Sequence, residues 1–141
     1  MTTTERRPAL EVLGPDACWR LLAADDVGRL AIVIGGTPAI FPMNHAVDGR
    51  TVVFRTGAGT KLAQVGRSRA AFEVDAIDRD TRTGWSVVAT GRLEEVTRYD
   101  AVALARARAL PVDPWAGGDR DHWLRLVVDR VTGRRIRGVS S

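Results

Sequence analysis

Residues that could bind a ligand are concentrated in one short segment, Phe54 to Leu62. Arg55 lies in it, as does Lys61, the single lysine of a chain with twenty arginines. Both side chains can donate charge-assisted hydrogen bonds. The hydroxyls of Thr56 and Thr60 are further donors, and the two glycines of the segment let the backbone come close to a ligand. Donors of these types at this spacing suit a phosphate group.

The elements around this segment would place it well for an anion. The apolar run from Thr51 to Thr56 is typical of a β-strand, and residues 61–65 can open a short helix. Thr60 suits the N-cap of that helix, where free N–H groups and the helix dipole favour negative charge. The alternative is a plain turn between a strand and a surface helix, with Lys61 in solvent, because phosphate-like loops are common by chance.

Apolar residues alternate with polar ones in six segments, as is typical of strands: residues 28–34, 39–47, 51–56, 71–76, 84–97 and 122–128. One helix is predicted to start at Pro15 with Asp16 as its cap. A second is predicted to be capped by Asp100 and to end near Leu110. The chain has none of the long alternating helices that a doubly wound sheet needs. It therefore predicts a mainly β fold, a small antiparallel barrel with a few short flanking helices.

Two residues inside the predicted strands carry positional information. Pro42 cannot donate a ladder hydrogen bond, so its strand should have a free edge or a bulge there, or turn its backbone toward something other than a strand. Gly91, near the middle of the longest strand, predicts a bend of the kind that closed barrels need.

Length and composition indicate one globular domain, with residues 1–13 as a flexible N-terminal arm and residues 14–141 as the domain itself. The net charge is +4, with arginines clustered near residues 130–137. No nucleic-acid motif accompanies them, so a solvated basic face is favoured over a nucleic-acid site. No segment has the length and apolar character of a signal peptide or a membrane span, and we expect a cytoplasmic protein with no membrane partner.

Few side chains could bind a metal or form a disulfide. Cys18 is the only cysteine, and it falls in an apolar helical pattern that predicts a buried, inert thiol. The only histidines are His45 and His122, so we expect no metal site.

Four stretches, taken in order, carry a resemblance to a known family. They are VGRLA (residues 27–31), PAIFPMN (38–44), DGRTVVFRTGAGTKL (48–62) and TGWSVVATGRLEEV (83–96). Together they resemble the pyridoxamine 5′-phosphate oxidase-like flavoproteins, the split β-barrel FMN-binding family, and most of all its small actinobacterial members. The resemblance covers residues 14–137. It implies a six-stranded antiparallel split β-barrel and a homodimer with two FMN sites at its interface.

The resemblance also assigns nine positions to the cofactor. Four match the segment that binds the FMN phosphate: Arg55, Thr56, Thr60 and Lys61. Three match the strand whose backbone follows the isoalloxazine ring: Pro42, Met43 and Asn44. Two match the strand from which the second subunit reaches that ring: Trp85 and Ser86.

The chain departs from the authentic oxidase at two places. The oxidase carries an arginine and a lysine on its second strand that also hold the phosphate, where this chain offers Ile40 and then Asn44 or His45. The C-terminal substrate motif of the oxidase is reduced to a faint likeness over residues 134–136. The resemblance thus implies an FMN-dependent oxidoreductase of a small molecule other than vitamin B6.

Several alternatives remain open at this point. The cofactor could be the deazaflavin F420 or a haem, as in related split barrels, or the chain could be a non-catalytic flavin-binding module. His45 is either a phosphate contact, a haem ligand or a hydrogen-bonded strand residue at the barrel rim. Trp115 and Trp123 could line a pocket or fill the dimer interface. Glu73, Asp75 and His45 are the only candidates for a catalytic acid or base.

Overall fold

Seven strands and two helices make up the fold in residues 9–57, 68–112 and 122–138, the part of the chain that the computed structural model describes. The strands are β1 (Ala9–Leu13), β2 (Val27–Ile34), β3 (Thr37–Asp48), β4 (Thr51–Thr56), β5 (Ser68–Asp78), β6 (Thr83–Val96) and β7 (His122–Arg137). The helices are α1 (Pro15–Ala24), which follows β1, and α2 (Ala101–Arg108), which follows β6.

Six of the strands close into an antiparallel ring. The sheet order is β1-β7-β4-β3-β2-β5-β6, and β6 pairs with β7 again, so that the sheet returns on itself. Strand β1 lies outside the ring and pairs with β7 alone. The predicted six-stranded antiparallel split barrel with flanking helices is confirmed, with β1 as an addition. No helix in the described ranges is long and apolar enough to cross a membrane.

The first correction concerns the N-terminal arm. Its last five residues form β1, which pairs with β7 from Ala9 opposite Arg137 to Leu13 opposite Gly133. The side chain of Leu13 is buried in the core, and Glu11 forms an ion pair with Arg137. A segment of five residues is too short for its pattern to predict a strand, and β1 is ordered by pairing with a strand distant in sequence. Residues 1–8 lie outside the described ranges.

The last strand is also longer than predicted. The alternation that we read as a strand ends at Val128, but β7 continues to Arg137. Its second half pairs with residues 84–90 of β6 on one side and with β1 on the other. These neighbours satisfy the backbone of an arginine-rich stretch that has no apolar alternation of its own. Gly133 in this half lets α1 approach, since a Cβ there would lie 2.7 Å from the Cys18 sulfur.

The two helices begin close to where they were predicted. Helix α1 starts at Pro15, but its N-cap is Gly14, and no side chain caps it; Asp16 instead lies in the first turn. Helix α2 follows Asp100, whose carboxylate accepts a hydrogen bond from the Ala103 amide at 3.1 Å, as expected for a cap.

The barrel interior holds the main core, and a second cluster lies outside the ring under α2. The largest fully buried interior side chains include Phe54, Phe72, Leu22, Leu30, Leu93, Leu124 and Leu126. Cys18 joins this core as predicted, and burial raises the pKa of its thiol. The outer cluster consists of Val53, Val96, Ala107, Val112 and Trp123.

The bend predicted at Gly91 is present. The register between β6 and β7 shifts between Thr90 and Gly91, as in a β-bulge. A Cβ on Gly91 would lie 1.9 Å from the carbonyl oxygen of Val127 on the neighbouring strand. The backbones therefore approach too closely at this point for any side chain.

We predict that Gly91→Ala lowers the free energy of unfolding by about 1–3 kcal/mol, because β6 and β7 must separate to admit the methyl group. The control is Gly14→Ala, where nothing lies within 4 Å of the added Cβ and the change should stay below about 1 kcal/mol. Urea unfolding followed by circular dichroism measures both. Equal stability of the two variants would contradict the close approach at Gly91.

Candidate functional site

The strands β3 and β4 separate part of the way along the barrel wall. They pair only from Asp48 opposite Thr51 to His45 opposite Phe54. Beyond that point β4 pairs with β7 alone, and no described strand pairs with residues 37–44 of β3 on that side. We call this opening, between residues 37–44 of β3 and Arg55 to Gly57 at the end of β4, the β3–β4 gap.

Five of the nine predicted cofactor residues flank this gap. On the β3 side, Pro42 is exposed on the outer face, whereas Met43 packs against the barrel core. Asn44 is half-buried, and its side-chain amide lies 3.5 Å from the Asp26 carbonyl oxygen. Within the described strands, the edge that Pro42 predicts is therefore present on the gap side of β3.

On the β4 side, the two remaining residues leave the strand on opposite faces. Thr56 follows the inward-facing Phe54 by two positions and is only 4% exposed. The Arg55 guanidinium instead lies over the ring of Trp123, with its central carbon 5.4 Å from the ring centroid. Trp123 is 3% exposed and belongs to the outer cluster under α2. The indole thus holds Arg55 on the outer face beside the gap.

Three predicted residues lie outside the described ranges, namely Thr60, Lys61 and Trp115. Of the segment from Phe54 to Leu62, the structure describes the part up to Gly57.

His45 faces the barrel interior. It is 3% exposed, its Nε2–H donates to the Leu22 carbonyl oxygen at 2.8 Å, and its ring meets that of Phe72 edge-on at 4.7 Å. Its Nδ1 is buried without a hydrogen-bond partner among the described residues. Burial lowers the pKa of His45, although the Leu22 carbonyl and nearby Asp25 and Asp26 oppose the effect. His45 is therefore a neutral core residue, which speaks against the phosphate and haem roles.

The last two predicted residues, Trp85 and Ser86, lie elsewhere. They line a cavity of about 650 Å³ where β5, β6 and the end of β7 meet, and Trp85 also packs against the main core. Strand β6 is bonded to β5 and β7 and to neither β3 nor β4. A single chain therefore does not bring Trp85 and Ser86 to the β3–β4 gap.

Two carboxylates that were candidate acids or bases line the same cavity. Glu73 and Asp75 are two residues apart on β5, and each lies 3.3 Å from a guanidinium nitrogen of Arg29. Partial burial, together with the hydrogen bond and charge of Asp75, raises the pKa of Glu73 to about 7, against the opposing influence of Arg29. Near neutral pH, Glu73 can therefore hold a proton.

Sequence reasoning missed the arginines of this cavity. Arg79 and Arg82 belong to the turn between β5 and β6, and Arg134 to the half of β7 that was not predicted as a strand. The alternation of Glu73 with Asp75 already indicated one shared strand face. Arg79 and Arg82 reach the cavity through the hairpin turn, whereas Arg134 is brought there by the pairing of β6 with the distant β7, which no local pattern indicates.

Comparison with known proteins agrees with this architecture. The family model described as pyridoxamine 5′-phosphate oxidase matches residues 14–135. An uncharacterised protein of Mycobacterium tuberculosis is 40% identical over 131 residues, which are 88% of this chain and 84% of that protein.

Solved structures extend the comparison to the fold. The FAD binding protein of Mycobacterium smegmatis is 36% identical and superposes with a TM-score of 0.75, over 89% of this chain and 97% of its own. A candidate pyridoxamine 5′-phosphate oxidase of Corynebacterium glutamicum is 27% identical, with a TM-score of 0.80 over 96% and 98% of the two chains.

We predict that His45 makes the protein less stable as the pH falls below about 6.5. The unfolded chain binds a proton on this imidazole near that pH. The folded chain, whose pKa is lower, does not, so acidification favours unfolding. One such proton changes the free energy of unfolding by at most about 1.4 kcal/mol per pH unit.

Urea unfolding between pH 7 and pH 5 tests this, with His45→Gln as the variant that cannot titrate. The wild type should lose more stability than the variant over this range. Glu73, whose raised pKa acts in the opposite direction, is present in both proteins and cancels in the difference. Parallel curves for the two proteins would show that burial of His45 does not disfavour its charged form.

Proposed function

Because this chain belongs to the pyridoxamine 5′-phosphate oxidase-like family, we propose that it is a flavin-dependent oxidoreductase that acts as a homodimer on a small molecule. The observation that carries the proposal is the β3–β4 gap. It places residues 42–44 of one strand opposite Arg55 and Thr56 of the other, and these are the positions that the resemblance assigns to the flavin.

The residues at the gap fit the parts of a flavin nucleotide. No described strand pairs with residues 37–43 of β3 on the gap side, so the backbone there could meet the polar edge of the isoalloxazine ring. Arg55 brings a positive charge to the end of β4, where its guanidinium lies over the ring of Trp123. The segment that follows, with Thr60 and Lys61, supplies the remaining donors for a phosphate.

The form of the flavin is the finer part of the proposal. FMN and FAD share the ring and the first phosphate, so the same gap and the same segment can hold either. The resemblance in sequence implied FMN. The relative from Mycobacterium smegmatis, described as an FAD binding protein and 36% identical, supports FAD. We therefore propose a flavin nucleotide, with FAD as the preferred form and FMN as the minimal ligand.

The protein's part in the reaction is to bind and orient. A bound flavin supplies hydride and electron transfer. The backbone of β3 would hold the ring against the barrel wall, and Arg55 with Lys61 would neutralise the phosphate charge. Vitamin B6 is not the proposed substrate. The position that is basic in the authentic oxidase carries Ile40, whose apolar side chain is 69% exposed beside the gap.

The placement of the two groups of predicted residues on different strands supports a homodimer. Trp85 and Ser86 lie on β6, away from the gap of their own chain, so they would reach the ring bound by the partner chain. Exposed apolar side chains on the outer face of β2 and β3 support an interface there. Val33 is 60% exposed and Ile40 69%, and their strands pair directly.

We predict that Lys61→Ala weakens flavin binding by about 1–3 kcal/mol, the range for the loss of a charge-assisted hydrogen bond. Arg130→Ala is the matched control, because Arg130 is an exposed cation on β7 that does not line the gap. Titrations with FMN and with FAD, followed by quenching of flavin fluorescence, give both affinities. Unchanged affinity in Lys61→Ala would remove this lysine from the site, and no binding by the wild type would end the flavin proposal.

The shared site makes a second prediction. Lys61→Ala damages the phosphate half of a site and Trp85→Ala the half that the partner chain supplies. A mixed dimer of the two variants therefore has one doubly damaged site and one intact site. We expect the mixed dimer, purified through two affinity tags, to bind one flavin per two chains with wild-type affinity.

Neither variant homodimer should reach that affinity, since each has two damaged sites. Failure of the mixed dimer to regain one tight site, or a monomeric mass by light scattering at micromolar concentration, would contradict the shared-site arrangement.

A further inference from the structure

The cavity lined by Trp85 has an apolar wall and a cationic rim. We propose that it is the substrate subsite of this protein, and that it takes an amphipathic small molecule with an apolar body and one anionic head group, a carboxylate or a phosphate. This inference rests on the proposed flavin site, because it names the substrate class of that site.

The apolar wall is unusually exposed for a protein surface. Leu10 on β1, Ile77 on β5 and Ile136 on β7 line the cavity together with Trp85. Leu10 is 60% exposed, Ile77 68% and Ile136 43%. With a volume of about 650 Å³, the cavity falls within the range of sites that enclose small organic ligands. An apolar body placed there would cover side chains that are otherwise in water.

Three arginines of the rim supply charge. Arg79, Arg82 and Arg134 all line the cavity, and no carboxylate among the described residues forms an ion pair with any of them. Arg82 has a φ of 55°, in the left-handed region that a non-glycine residue seldom adopts. Arg134 is fixed directly opposite Ser86 by the pairing of β6 with β7.

The acidic side chains of the cavity do not cancel this charge. Glu73 and Asp75 share Arg29, and Glu73 can also hold a proton near neutral pH. The Asp78 carboxylate accepts hydrogen bonds from the amides of Asp80 and Thr81, at 3.0 and 3.2 Å. The carboxylates therefore have partners of their own, and the rim arginines are left to receive an anion.

The cavity also lies where a substrate is needed. In the proposed homodimer, Trp85 and Ser86 of one chain reach the flavin ring held by the other. A molecule in the cavity would then lie next to that ring, with its head group on the arginines and its apolar body against Trp85. Placement beside the ring is the requirement for hydride transfer between flavin and substrate.

A matched pair of dyes separates the head group from the apolar body. 8-Anilinonaphthalene-1-sulfonate carries an anionic sulfonate, and N-phenyl-1-naphthylamine has the same ring system without it. Fluorescence titrations of the flavin-free protein give the affinity for each. The variants are Arg82→Gln combined with Arg134→Gln, Trp85→Ala, and Arg130→Gln as an exposed control on the same strand as Arg134. Circular dichroism checks that every variant is folded.

We expect the arginine double variant to weaken binding of the sulfonate dye roughly fivefold or more, and that of the neutral dye less than about twofold. Trp85→Ala should weaken both, and Arg130→Gln neither. Equal losses for both dyes in the double variant, or an equal loss in Arg130→Gln, would overturn the anion subsite. Displacement of the sulfonate dye by decanoate or by decyl phosphate identifies the preferred head group.

Calorimetric titration of the flavin-loaded protein tests whether the cavity and the flavin site are separate. We expect the sulfonate dye to bind the loaded protein with unchanged stoichiometry and to shift the flavin absorbance bands. Displacement of the dye by saturating FMN or FAD would show that the cavity belongs to the flavin itself and would overturn the subsite. Dye binding that depends on the arginines in a protein that takes up no flavin would keep the anion site and reject the proposed function.

Discussion

The separation of β3 from β4 is the feature on which the candidate site depends. The two strands stay together as far as the pair of His45 with Phe54, whose rings both meet Phe72 edge-on inside the barrel, at 4.7 and 5.0 Å. The Nε2–H bond from His45 to the Leu22 carbonyl ties this point to α1. Beyond it, β4 stays with β7, and none of the described strands pairs with β3 on that side. A fully buried aromatic cluster thus fixes where the wall opens, and hence where a flat ligand can meet the backbone.

The opposite part of the ring supports the proposal that two chains share each site. The Gly91 bulge and the long pairing of β6 with β7 close the barrel and carry Trp85 and Ser86 to the cavity between β5 and the end of β7. Arg55 and Thr56 lie at the gap, and the apolar and cationic walls lie at the cavity. In a dimer in which the gap of each chain faces the cavity of the other, two sites would form, each with one half from each chain. The cavity half sits on β6, which pairs with both β5 and β7, and at the gap β3 stays paired with β2 and β4 with β7. These pairings would give a bound ring and a substrate fixed relative positions.

Sequence alone was sufficient for the parts of the fold that rest on local patterns. Six strands followed from alternation, the bend from Gly91, and the cap of α2 from Asp100. It did not predict β1 or the second half of β7. These two segments are strands because they pair with each other and because β7 also pairs with β6. Because side chains alternate along a strand, Arg55 and Thr56 leave β4 on opposite faces. The assignment of both side chains to one phosphate overlooked this alternation. The arginine rim of the cavity was beyond sequence reasoning, since Arg82 and Arg134 meet only through the register of distant strands.

The central claim, that a flavin occupies the β3–β4 gap, is tested most directly by amide hydrogen exchange with and without FAD. Exchange is slowed where a ligand covers or hydrogen-bonds the backbone. The account predicts that FAD slows exchange in peptides covering residues 37–44 and 54–62. It predicts no slowing in α2, which lies behind Trp123 and away from the ring. Flavin binding that leaves residues 37–44 and 54–62 exchanging at their original rates would contradict it.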